Sequence, residues 1–266
     1  MNVTRSRNIL LTAFSCAACA LVPAQARLEE AAAASIGAAT FNSVLPQGKA
    51  ADAVTLRPFR LDRRPVTNAQ FLAFVTAHPQ WQRARVAPLF ADATYLAHWQ
   101  APLELGARAQ PQQPVTHVSW FAAKAYCKAR GARLPTWHEW EYAAAASESV
   151  PDARADPRWR QTILDWYAQP SGAPLPAVGQ SPANFHGIQD LHGLVWEWTL
   201  DYNALLVSTD SREQGGADRL KFCGEAALSL ADRDNYAVLM RIAYLSSLEA
   251  NYSVGNLGFR CAMDGP

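Results

Sequence analysis

Beyond its N-terminal segment the chain has no apolar run near the roughly 20 residues that a membrane-spanning helix needs. Charge is thin as well, at 18% of residues, and lysine plus arginine (24) balance aspartate plus glutamate (23). With no basic stripe, arginine-rich arm or long like-charge run, nucleic acid is set aside as a partner. Neither a GxGxxG, a P-loop, an HExxH nor a GxSxG occurs, and no CxxC is followed by a second, so the common nucleotide, zinc-protease and hydrolase chemistries are excluded. No fixed-period repeat is present. The six histidines (78, 98, 117, 138, 186 and 192) show no HxH or HxxxH spacing. His186 and His192, flanking a turn, are the only pair close enough to weigh as metal ligands. Met240 and Met263 form no cluster of the kind a copper(I) carrier uses.

What is present is apolar bulk: 266 residues, 50% of them hydrophobic, with nine tryptophans and seventeen prolines, enough for one large domain or two small ones. Residues 1–26 read as a signal peptide. Arg5 and Arg7 form a basic start, Ile9 to Val22 an apolar stretch too short to span comfortably, and Ala24-Gln25-Ala26 a small-x-small cleavage site. The expectation is a protein cleaved after Ala26, not membrane-spanning, and periplasmic or secreted. Cleavage removes Cys16 and Cys19 and leaves Cys127, Cys223 and Cys261 in an oxidising compartment. Three is odd, so one pair and one leftover thiol is the simplest arithmetic.

Residues 27–53, rich in alanine, read as an N-terminal extension, and the domain is expected over 54–266. Thr67 with Gln70 forms a capping box that opens a helix ending near His78. Ser119 caps a second helix over Trp120 to Arg130, with Gly131 as its left-handed stop. Thr136 and Glu139 form another capping box for a third. After Ala173, prolines and glycines punctuate the chain into turns, VWEWT (Val195 to Thr199) alternates like a strand, and LGFRCAM (Leu257 to Met263) reads as a final one. Alternation would place Trp196 and Trp198 on one face and Val195, Glu197 and Thr199 on the other.

Four blocks in order carry a resemblance: DRRPVTNAQFLAFV (Asp62 to Val75), PVTHVSWFAAKAYCKARGARLPTWHEWEYAAAA (Pro114 to Ala146), GIQDLHGLVWEWTLDY (Gly187 to Tyr202) and GNLGFRCAMD (Gly255 to Asp264). They resemble the formylglycine-generating enzyme, or sulfatase-modifying factor, family over roughly residues 54–264. The resemblance implies one α+β domain, an elaborated C-type-lectin-like fold with much irregular structure and its chain ends close together. HGLVWEW, the FCG segment, the insert YAVLMRIAYLSSLEANY and the NLGFRC ending are, within the family, most similar to NirV-type exported proteins associated with copper nitrite reductases.

Active members of that family oxidise a substrate cysteine to formylglycine with dioxygen, holding copper(I) between two thiolates a few residues apart. Soft thiolates suit a soft ion. Here the corresponding turn falls at Cys223-Gly224-Glu225, followed by Ala226, Ala227, Leu228, Ser229 and Leu230, with no second cysteine. Copper-dithiol chemistry is therefore not expected, and Cys223 and Glu225 remain as candidate catalytic residues for an oxygen-dependent oxidoreductase using other groove residues. The resemblance further implies a disulfide between Cys127 and Cys261. It also implies a calcium ion at Glu197, with backbone carbonyls of His192, Gly193 and Val195, although Leu194 replaces the usual asparagine. The second reading of Glu197 is a buried carboxylate bonded to protein donors. The family's second calcium site needs an aspartate within Val178 to Ser181, and none is there. The expected function is an exported accessory protein that binds or assists an envelope partner such as a copper enzyme.

Overall fold

The computed structural model describes residues 32–44, 53–168, 174–203 and 236–265. In chain order these form β1 (Ala33–Ile36), β2 (Ala39–Phe41), β3 (Val54–Leu56), β4 (Phe59–Asp62), α1 (Asn68–Ala77), a 3-10 turn (Pro79–Trp81), α2 (Trp120–Ala129), α3 (Trp137–Ala144), α4 (Pro157–Tyr167), β5 (Trp196–Glu197), α5 (Tyr236–Ser246), β6 (Leu257–Gly258) and β7 (Ala262–Asp264). Short strands, five α-helices and long irregular connections make the α+β class expected from the sequence.

Strand β4 is the centre of an antiparallel sheet, order β1-β4-β7. Ala33 faces Asp62 and Ile36 faces Phe59 on one side, while Phe59 faces Asp264 and Leu61 faces Ala262 on the other. The early and late strands of the domain therefore flank the same strand. The stretch read as an extension thus contributes β1 to the sheet, and Ala33–Pro266 forms one compact unit. Alanines have low strand propensity, so AASI read as a tail. Its residues Ala34 and Ile36 are buried in one cluster with Phe59 and Leu61 of FRLD, and that packing decides.

The helix starts follow their local chemistry. Thr67 Oγ1 accepts the Gln70 N–H at 3.3 Å while the Gln70 side chain accepts the Thr67 N–H at 2.9 Å. Thr136 and Glu139 repeat the exchange at 3.3 and 2.8 Å, and Ser119 Oγ accepts the Ala122 N–H at 3.1 Å. Each satisfies orphan donors of a first turn. At the end of α2, Gly131 takes φ +70°, the left-handed conformation that glycine adopts without a Cβ clash.

LGFRCAM is not one strand. Leu257–Gly258 runs parallel to Trp196–Glu197, then the chain leaves the ladder for three residues before β7. In that gap the Phe259 carbonyl accepts the Val66 N–H, the Cys261 N–H donates to Asp62 Oδ2, and the Arg260 side chain turns inward. Tertiary partners thus replace ladder bonds. Cys261 is joined to Cys127 of α2, with Cα atoms 5.6 Å apart, inside a core of Phe71, Tyr126, Leu134 and Phe259.

Candidate functional site

The parallel β5/β6 pair places two charged side chains face to face in the interior. Gly258 permits the approach: a Cβ there would lie 2.7 Å from the Val115 carbonyl oxygen. One residue after β5 pairs with that glycine, Trp198 N–H donates to its carbonyl at 3.0 Å. Two residues past Gly258, Arg260 meets Glu197, and both are 0% exposed. Arg260 Nη2 donates to Glu197 Oε1 at 2.8 Å and Nε to Oε2 at 2.9 Å, a side-on fork. Arg260 Nη1 and Nη2 also donate to the carbonyls of Asp62 and Gln189, at 3.0 Å each. Trp140 of α3 adds Nε1–H to Glu197 Oε2 at 2.8 Å.

A second guanidinium lies beside this pair. Arg241 of α5, 2% exposed, stacks with its Cζ 3.4 Å from the Trp140 ring centroid and donates from Nη2 to the Glu197 carbonyl oxygen at 2.6 Å. Burial pushes its pKa down to about 10, against the pull of Glu197. His192 packs edge-on against Trp140 and Trp159, with ring centroids 5.7 and 5.5 Å away, and its Nε2 lies 2.9 Å from the Ala144 carbonyl. Burial, reinforced by Arg241 and Arg260, lowers its pKa to about 4, so the ring is neutral at ordinary pH.

An aromatic face borders the pair. Tyr167 stacks on Trp196 at 5.0 Å and 8°, Trp166 lies 5.5 Å from Trp196, and Tyr244 lies 5.0 Å from it. These rings come from α4, β5 and α5. Trp198 follows the two-residue strand into the core that Trp196 also packs against, and its Nε1–H donates to the Val118 carbonyl at 2.9 Å.

Calcium does not fit at Glu197. Both carboxylate oxygens are committed to a guanidinium and an indole N–H, the backbone oxygen takes Arg241, and two guanidinium charges stand where a dication would sit. The protein-bonded reading of that residue is the one the geometry carries. His186 and His192 are not drawn into one donor set. His186 lies against Tyr142 and Phe185, with centroids 5.4 and 5.5 Å away. Among the described residues no group of three or more His, Cys, Asp or Glu could hold a metal. Cys223 and Glu225 lie outside the described residues.

Three features escaped sequence reading. Helix α4 was signalled by Asp156, whose side chain accepts the Arg158 N–H, followed by Pro157 at the first helical position. Helix α5 and its Arg241 sat in a segment whose apolar residues gave no clear period. Asp190 holds the turn at residues 178–181 from outside it, accepting from the Gly179 N–H and, at 2.7 Å, from Ser181 Oγ. Nothing local in the sequence marks that contact.

A separate pair, His98 and His117, stacks at 5.0 Å and 29°, with the Nδ1 atom of each buried without a partner. Burial first, then His117 and the arginines 108 and 83, lower the pKa of His98 to about 4. His117 is also lowered, chiefly by burial, and sits at φ +51°.

The sulfatase-modifying factor enzyme 1-like domain matches residues 19–265. The formylglycine-generating enzyme of Streptomyces coelicolor is 35% identical over 260 residues, which cover 79% of this chain and 80% of that protein. A Mus musculus protein named inactive C-alpha-formylglycine-generating enzyme 2 is 29% identical over 245 residues, covering 79% and 76%. Hercynine oxygenase of Mycobacterium tuberculosis is 33% identical over 171 residues, covering 58% of this chain and 40% of that one. With the capping boxes, the joined cysteines and the Glu197 centre all falling inside the matched span, the chain belongs to the formylglycine-generating enzyme, or sulfatase-modifying factor, family.

Proposed function

We propose that the protein is an exported accessory member of its family that binds or assists an envelope partner, such as a copper enzyme of the nitrite reductase type, and does not make formylglycine. The observation that carries this is the cysteine inventory. Of five cysteines, Cys127 and Cys261 are joined to each other, and Cys16 and Cys19 fall within the N-terminal signal-like segment. Cys223 alone remains, and one thiolate cannot form the two-thiolate cradle that copper(I) requires in active relatives. A relative whose own name marks it inactive gives a precedent for losing the activity. The NirV-like segments and the signal-like start supply the envelope and copper-enzyme context.

Thiol titration and metal analysis of the exported protein test the reading. One free thiol and copper far below one atom per chain are expected, together with no aldehyde formed on a cysteine-containing substrate peptide under oxygen. Stoichiometric copper with aldehyde formation would overturn it. Deleting the gene and measuring copper content of exported copper enzymes tests the partner: a fall is expected, and unchanged values would remove the maturation role.

A second reading, an oxygen-dependent oxidoreductase using Cys223, Glu225 or a nearby tyrosine, draws support from the relative named hercynine oxygenase. Oxygen consumption by metal-loaded protein with thiol and phenol substrates separates the two.

A further inference from the structure

We infer that Arg241 is the recognition group of an anion site that takes a carboxylate attached to an apolar or aromatic body. Charge is the first ground. Glu197 is held side-on by Arg260 with Trp140 on its second oxygen, so this carboxylate already has its cation. The ring of His192 is neutral. Among the described residues Arg241 is then an excess positive charge at 2% exposure, supported by the face of Trp140 at 3.4 Å and by one carbonyl. A buried cation without its own anion is strongly disfavoured, and proteins that keep one supply a counter-charge.

The second ground is the donor left over. Arg241 Nε is buried with no hydrogen-bond partner, although buried guanidinium N–H groups are nearly always satisfied. Guanidinium is planar and presents paired donors that match the two oxygens of a carboxylate, and it holds its charge where a lysine would lose it.

The third ground is the surroundings. Tyr167 stacks on Trp196, whose neighbour Glu197 gives its carbonyl to Arg241, and Tyr244 lies three residues along α5. With Trp196 these half-buried rings form a continuous aromatic surface. It suits the apolar body of a ligand whose carboxylate reaches Arg241. The inference goes beyond the accessory role, since it requires neither copper nor a thiol.

Sodium benzoate and its neutral isostere benzamide, compared by calorimetric titration and by thermal shift at fixed ionic strength, test the site on the intact protein. Saturable one-site binding of benzoate with at least tenfold weaker benzamide binding is expected, with chloride giving no saturable shift. Arg241→Met should weaken benzoate at least tenfold, and Arg241→Lys less. Equal behaviour of benzoate and benzamide on the wild-type protein would overturn the inference, as would undiminished benzoate binding by a folded Arg241→Met. Because the wild-type comparison decides alone, a variant that fails to fold leaves the test intact.

Discussion

Glu197 and Arg260 show how much one buried pair can constrain. Each is inaccessible to solvent, and each is satisfied by the other together with Trp140 and the carbonyls of Asp62 and Gln189. Removing one partner leaves a charge in the interior, which costs about 3–5 kcal/mol, whereas removing both with apolar residues of similar volume can be close to neutral. Glu197→Leu and Arg260→Met should therefore each lower the urea midpoint strongly, and the two changes combined should recover much of the loss. Additive losses in the double variant would show that the two groups do not act as a pair. The histidines set a pH dependence at the same scale. His98 and His192 have folded values near 4, depressed from 6.5 mainly by burial. As pH falls from 6.5 toward 4 the unfolded chain takes up protons that the folded chain refuses, so stability declines through that window and the loss is complete below it. Melting temperature measured against pH should follow this course, and His192→Phe should flatten it.

Elements repeat the lesson through their ends. The capping boxes at Thr67 and Thr136 are local patterns, and both form as their spacing implies. Thr136→Ala should cost about 1 kcal/mol. Glu139→Ala should cost more, because Glu139 also receives both guanidinium ends of Arg133 at 2.7 Å. The β5/β6 pair depends on a close approach rather than on propensity. Gly258→Ala would press a methyl against the backbone oxygen of Val115, an overpacking cost of about 1–3 kcal/mol. Chemical denaturation of the three variants checks this ranking, and a neutral Gly258→Ala would show that the strand pair can give way.

For the whole molecule, the disulfide is the covalent constraint among the described residues. It joins α2 to the segment before β7 across a sequence separation of 134 residues, and cross-linking so long a loop is worth roughly 4–5 kcal/mol in the chain-entropy model. Its neighbourhood adds to the closure: Asp62 accepts the Cys261 N–H at 3.1 Å and pairs with Arg130 at 2.8 Å. Reduction, or replacing both cysteines with alanine, should lower stability by that order, read from urea curves with and without reductant. A negligible change would mean that the reduced chain is already held in a native-like arrangement.

Residue types and short spacings were enough to determine the helix starts of α1, α2 and α3, the scarcity of thiols and the family pattern, because capping and inventory are local properties. The pattern also implied the Cys127–Cys261 pairing. Tertiary structure decided what depends on partners far apart in the chain. AASI became a strand because FRLD, more than twenty residues on, offered it an edge. Glu197 became the partner of Arg260, 63 positions away, rather than a ligand for a cation. Arg241 became a buried cation only when α5 packed it onto Trp140. A sequence states which charges exist; which of them lose water and what they then face is set by packing, and that is where the candidate site lies.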